Sequence, residues 1–376
     1  MLSMVGVYGG WAGGLAEDPP ALSYRRGGWA DLESWRTQAL TTLQEKLACP
    51  TLPPEMDVQV LAEHHEGGLL IEELSWQLPY GPPTRAVRMR PETASGPLPG
   101  ILALHCHGGV KFFGHEKITR YGQQHPLMVA HQAQYYSGRA WANDVARRGY
   151  VVLAPDAFPF ASRRVRLADV PESLRRGAVD PDPDDHEGIA RYNEWAAMHE
   201  SVMAKSLFSA GTTWPGVFLA EDRVALNVLA STPGVDAGRL GCGGLSGGGM
   251  RTDYLAGTDH RIRCSVTVGL MSTWRDYALH KSVNHTWMTY TPGIPQLLDF
   301  PEILGLRVPL PTLVLNDEED DLFTLPEMHR ADRILAEVYD RAGAPEAYRC
   351  SFYPGPHKFD AAMQEEAFDW FDRWLK

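Results

Sequence analysis

One serine of this 376-residue chain stands among glycines: Ser246, in Gly244-Leu245-Ser246-Gly247-Gly248, the pattern G-x-S-x-G. A hydroxyl is a weak nucleophile until an imidazole takes its proton and a carboxylate orients that imidazole. The pattern serves such chemistry when a strand ends just before the serine and a helix begins just after. The serine then sits on a strained turn where neighbouring side chains would collide. Glycines remove the collision, and the first turn of the helix aims free N–H groups at charge developing on a substrate oxygen. Here the apolar run 238–246 ends at the serine and a helix-like stretch, 248–257, follows. A glycine-rich turn that merely contains a serine is the plain alternative. A dinucleotide loop fits poorly, because a clean G-x-G-x-x-G after an early strand is missing, and a P-loop lacks its lysine.

In a strand–turn–helix serine site the partners follow in the order nucleophile, acid, base. The base must then come late and on a loop, which points to His357 in "YPGPHKFD". His280 and His285 precede the acidic loop, and His329 falls on a helix. The acid lies in "NDEEDDLF", where Asp317, Glu318, Glu319, Asp320 and Asp321 all follow an apolar strand and spacing does not choose among them. The oxyanion hole needs a second N–H from the loop after the first buried strand. "HCHGG" supplies Gly109 as the favoured donor, paired with the amide of Gly247. His107 is expected to brace that loop and His105 to be a packed strand residue.

These residues need a scaffold. Short, continuously apolar runs at 100–109, 149–156, 238–246, 262–269 and 311–320 read as strands buried on both faces. Helix-like stretches at 138–148, 217–231 and 248–257 lie between them. A stripe of Met328, Ala331, Leu335 and Val338 follows, then "AYRCSFYPG" and a closing helix with Phe368, Phe371, Trp374 and Leu375. Alternation of this kind predicts an α/β fold, a mostly parallel central sheet covered by helices on both faces. Two β-rich runs separated by glycine and proline turns form an antiparallel entry. Residues 1–57 are expected to be a helical extension packed on the core, with Trp35, Ala39, Leu43 and Leu47 on one face, and 58–376 the main domain. Segments 110–137 and 157–216 exceed what the scaffold requires and read as lid-like insertions.

Composition narrows the function classes. A formal net charge of −12, with no dense Lys/Arg run, argues against a nucleic-acid partner. Apolar runs are too short to span a membrane. The five cysteines follow no C-x-x-C spacing, and no H-E-x-x-H is present, so free thiols in a reducing, cytoplasmic setting and no metal are expected. The apolar opening lacks a basic leader region, although secretion stays open. A homo-oligomer is compatible with the composition.

Together "HCHGG", "GYVVLAPDAF", "GRLGCGGLSGGG", "LVLNDEEDDLFTLPEMHRA", "FYPGPHKF" and "EEAFDWFDRWL" resemble the α/β-hydrolase superfamily, in its dienelactone-hydrolase-like and acetyl-esterase-like branch, over residues 58–376. The resemblance implies that the acid is Asp320, first of the "DDLF" segment. It also implies a serine esterase acting on small-molecule esters of small acyl groups, acetyl among them, without a cofactor. True dienelactone hydrolases carry a cysteine nucleophile, so Ser246 favours ordinary esters over lactones. Their residue after the nucleophile is often bulkier than Gly247, which implies a roomier elbow. An amidase, peptidase or lactonase with the same triad, or a binding protein on the same fold, is the alternative. Aromatic residues crowd the insertions and 282–293, and Trp214, Trp287 and Tyr290 are candidates for a substrate pocket; core packing accounts for them equally well. His199 and Glu200 read as helix surface.

Overall fold

The computed structural model describes residues 3–94 and 96–376. The strands are β1 (Gln59–Glu66), β2 (Leu69–Trp76), β3 (Thr84–Pro91), β4 (Leu98–Ala103), β5 (Val151–Pro155), β6 (Val235–Leu245), β7 (Ile262–Val268), β8 (Thr312–Asp317) and β9 (Tyr348–Tyr353). They form one sheet in the order β1-β2-β3-β5-β4-β6-β7-β8-β9. β1, β2 and β3 pair antiparallel, β3 meets β5 antiparallel, and every pairing from β5 to β9 is parallel. The tight β1–β2 turn uses Gly67 and Gly68, both at positive φ (59° and 78°), as a two-residue hairpin of matching twist demands.

Helices cover both faces. Setting aside the short helices Gly9–Gly14, Glu172–Arg175 and Trp274–Asp276, they are in chain order α1 (Leu32–Leu47), α2 (Pro126–Tyr136), α3 (Trp141–Arg147), α4 (His186–Ser209), α5 (Trp214–Ala230), α6 (Gly247–Thr258), α7 (Phe300–Gly305), α8 (Leu325–Arg341) and α9 (Ala361–Leu375). Successive strand residues point to opposite sides. Thus Leu102 and Leu104 join one apolar cluster with α1, α5, α6, α7 and α8, while Ile101 and Ala103 join another with α3 and α9. α1 opens with a capping box between Asp31 and Ser34 and buries Trp35, Ala39, Leu43 and Leu47. α9 buries Phe368 and Phe371, each worth about 1.5–3 kcal/mol of transfer free energy.

The differences from the sequence reading lie at strand ends and in the insertions. β4 stops at Ala103, short of the apolar run; Leu104 still donates to the Gly243 carbonyl (2.9 Å), and the backbone then leaves the sheet as a loop. β8 ends at Asp317, so Glu318 to Asp320 form a turn. In the insertions, Phe112, Phe113, Tyr192 and Trp195 bury one another in a third, smaller cluster. They are core beneath the insertions and do not line the cavity that holds Ser246. Among the described residues no helix is long and apolar enough to cross a membrane.

Candidate active site

β6 delivers Ser246 to the C-terminal edge of the sheet, where its N–H still donates to the Val268 carbonyl of β7 (2.8 Å). The residue then takes φ 59° and ψ −120°, a strained conformation for a non-glycine, costing about 1–3 kcal/mol. Ser246 occupies the N-cap position of α6, yet its hydroxyl caps nothing. An ordinary capping serine bonds the second or third helical N–H. This one keeps its Oγ off the helix and lines an open cavity of about 510 Å³.

The glycines around it have a measurable reason. A Cβ on Gly244 or Gly248 would fall 2.2 or 2.1 Å from the Leu104 carbonyl oxygen, so only glycine lets β6, α6 and the end of β4 converge. A Cβ on Gly247 would lie 3.0 Å from the backbone nitrogen of His107. The elbow is therefore tight at Gly247, not roomy, because the loop after β4 lies directly against it.

The cavity also takes in His357 and Asp320. His357 stands on the β9–α9 loop, its Nδ1 2.6 Å from Asp320 Oδ2, and Asp320 is buried. Its ring lies over Gly269, at the end of β7; a Cβ there would come 2.9 Å from the imidazole Cε1. Among the described residues Ser246 Oγ makes no hydrogen bond to His357; the two side chains share the cavity with the second imidazole nitrogen unpaired. Of the five carboxylates that spacing left open, Asp320 is the one bonded to the imidazole. Asp317 instead accepts the Lys358 N–H (3.0 Å), and burial raises its pKa to about 7. The Leu322 N–H donates to the other oxygen of Asp320 (2.9 Å).

The oxyanion loop departs from expectation in one detail. Gly109 lines the cavity, but its N–H donates to His107 Nδ1 (3.0 Å) and is thereby spent. The His107 amide lies against Gly247 and has no acceptor among the described residues. His107 itself is braced on both sides, accepting from Gly109 and donating through Nε2 to Glu200 Oε1 (3.0 Å). Burial, with Lys111 nearby, draws its pKa down to about 4, so it stays neutral.

Glu200 was not legible as a site residue. It is 5% exposed on α4 rather than on helix surface. Its Oε1 also accepts from Lys111 (2.5 Å), while Oε2 accepts from the Thr286 hydroxyl (2.6 Å) and the Trp287 N–H (3.0 Å). Against the upward pull of burial, the His107 bond and Lys111 bring its pKa to about 2. One carboxylate thus ties three segments around the cavity. The signal was present in Ala196, Glu200 and Ala204: an acid spaced at i and i±4 within a buried alanine stripe.

The three aromatic pocket candidates lie elsewhere. Trp214, first residue of α5, is 1% exposed and packs on Phe158. Tyr290 lines a separate apolar cavity with Leu15, Trp274 and Tyr277. Trp287 is 44% exposed, because the 282–290 segment turns His285, Thr286 and Thr289 inward instead. Tyr135 of α2, one of the aromatic residues that crowd the 110–137 insertion, does line the cavity, with its ring 6.4 Å from that of His357.

All five cysteines are free thiols. Among the described residues two groups of side chains have metal-ligand spacing, Asp317–Asp320–His357 and His115–Glu116–Asp156. In each, the imidazole Nδ1 is already bonded to a carboxylate of the group.

No family model matches the chain. A curated protein of Bacillus subtilis named "Putative hydrolase YtaP" is 25% identical over 290 residues, 76% of this chain and 82% of that protein. Among solved structures, a "putative acetyl xylan esterase" of Bacteroides fragilis aligns with TM-score 0.66 and 17% identity, over 94% of this chain and 83% of that one. A glucuronoyl esterase of Solibacter usitatus aligns with TM-score 0.62 and 16% identity, over 94% and 96%. The sheet order, the crossovers and these alignments agree. The chain has the α/β-hydrolase fold. In that α/β-hydrolase frame the ends of β4, β6, β8 and β9 all open on one cavity, which is where Gly247, His107, Ser246, Asp320 and His357 meet.

Proposed function

We propose that this α/β-hydrolase is a serine esterase cleaving carboxylic esters of small acyl groups through an acyl-enzyme. The observation that carries the reading is a strained serine at the β6–α6 turn, its hydroxyl uncapped, in one cavity with an imidazole fixed by a buried aspartate. Asp320 holds His357 by Nδ1, which leaves Nε2 to take the Ser246 proton as Oγ attacks the ester carbonyl. The amides of Gly247 and His107 receive the oxyanion; Gly109 supports the loop that presents them. His357 returns the proton to the departing alcohol, and water activated by the same nitrogen clears the acyl group. No cofactor takes part in these steps.

The names of the structural relatives favour esters over amides, since both reported are called esterases, one of acetyl xylan and one glucuronoyl. Acetyl esters of hydroxyl-rich alcohols are therefore the first substrates to try. The test is a mass adduct on Ser246 after treatment with an aryl phosphonate, read beside hydrolysis of matched ester and amide substrates. Adduct and ester turnover, both lost in Ser246→Ala, are expected; a folded protein that is neither labelled nor hydrolytic would end the reading.

A further inference from the structure

Lys117 closes a single 3-10 turn, His115–Lys117, inside the 110–137 insertion, and its own side chain is fully buried. Its ammonium donates to the Cys106 carbonyl (3.0 Å) and the His107 carbonyl (2.9 Å) and lies 4.5 Å from the Phe160 ring centroid. Lys111, the other buried lysine of this insertion, pairs with Glu200. Lys117 has no carboxylate within ion-pair distance among the described residues. Burying an ammonium without a counter-charge is expensive, and an apolar side chain of similar length would fill the same space.

What the ammonium holds explains its place. A trans peptide sends its C=O and its N–H to opposite sides. The 106–107 bond is trans. Lys117 and His105 Nδ1 (3.0 Å) both draw the Cys106 carbonyl inward, so the His107 N–H turns outward to the elbow, where Gly247 lies against that nitrogen.

We propose that Lys117 is the positioning residue of the oxyanion hole and supplies its missing counter-charge, fixing the His107 peptide and compensating the negative oxygen of the tetrahedral intermediate. The inference rests on the esterase reading of Ser246. Burial lowers the Lys117 pKa to about 8, which leaves it charged at neutral pH. The ionisable groups around it are Cys106, Glu116, Lys111 and Asp156, together with His105, His107 and His131.

The experiment compares Lys117→Met, Lys117→Gln and Lys117→Arg with Ser246→Ala in the full chain, on an aryl acetate. Loss of an oxyanion contact costs about 100- to 1000-fold in kcat. Met and Gln are therefore expected to lower kcat at least about 30-fold with KM within about threefold, and Arg to recover part of it. A folded Lys117→Met with kcat within about threefold of the parent, beside an inactive Ser246→Ala, overturns this inference alone. An active Ser246→Ala overturns the esterase reading itself. Should the variants not fold, 15N-lysine spectra of the unaltered protein decide: phosphonylation of Ser246 followed by dealkylation of the adduct, which leaves a tetrahedral phosphonate anion on the serine, must raise the Lys117 pKa, and an unmoved titration refutes the proposal.

Discussion

The molecule contains two histidine–aspartate pairs of nearly the same geometry at the carboxyl ends of its strands. His357 Nδ1 is 2.6 Å from Asp320, and His115 Nδ1 is 2.9 Å from Asp156, just beyond β5. They differ in what surrounds them. Asp156 also accepts the His115 N–H (3.0 Å) and both the N–H and hydroxyl of Ser162 (3.1 and 2.6 Å), and a Cβ on Gly114 would collide with it. The Asp156 carboxylate is saturated, and the buried pair fastens residues 114–115 of the 110–137 insertion to the end of β5. The His357 pair leaves one imidazole nitrogen facing a cavity that holds a strained serine. The two contacts thus differ in whether a strained serine shares a cavity with the imidazole.

Exchanging the acids should separate the roles. Asp320→Asn should lower kcat about 1000- to 10,000-fold with little change in melting temperature, because the imidazole loses its orientation and its stabiliser when charged. Asp156→Ala should do the reverse. Esterase turnover at 25 °C should stay within a few-fold, while unfolding in urea reports a loss of about 3–5 kcal/mol, the usual result of stripping one partner from a buried ion pair. Equal kinetic damage from both would erase the distinction.

Glu200→Gln tests the ties between segments. Glutamine offers one acceptor oxygen in place of two, so the bonds to His107 and Lys111 compete with those to Thr286 and Trp287. A fall in kcat of about tenfold is expected, with faster hydrogen exchange in 282–290. Asp317→Asn should change kcat less than about threefold, since Asp317 does not touch the imidazole nitrogen; a large loss would return it to the list of acids.

The smallest effect is one of pH. His115 is held protonated by Glu116 and Asp156 despite burial, with its pKa raised to about 9 from 6.5. Folding then binds this proton more tightly than the unfolded chain does. The stabilisation is full below about pH 6.5 and fades as pH rises through about 9. Melting temperature should decline across that window, and less steeply in His115→Gln.

Local signals in the chain were enough for much of this. Continuous apolarity marked β5, β7 and β8, glycine crowding marked the elbow, and position after the last strand marked His357, because each depends on neighbours in sequence. The carboxylate that meets His357 was not legible from spacing: five carboxylates in one turn look alike until the turn is folded and Asp320 reaches the ring. Gly109 looked like an oxyanion donor because glycine permits close approach, but a hydrogen bond to His107, two residues back, claims its N–H.

Sequence alone therefore determined which strand ends at Ser246 and which loop carries His357, since hydrophobic period and backbone sterics act over a few residues. Only the tertiary structure decided how charge is arranged around them. Glu200 is 93 residues from His107, and the Cys106 and His107 carbonyls reach Lys117 across a turn. Burial and pairing at such separations leave no periodic trace, because a desolvated charge is stabilised by whatever the fold brings within about 3 Å, whatever its place in the chain.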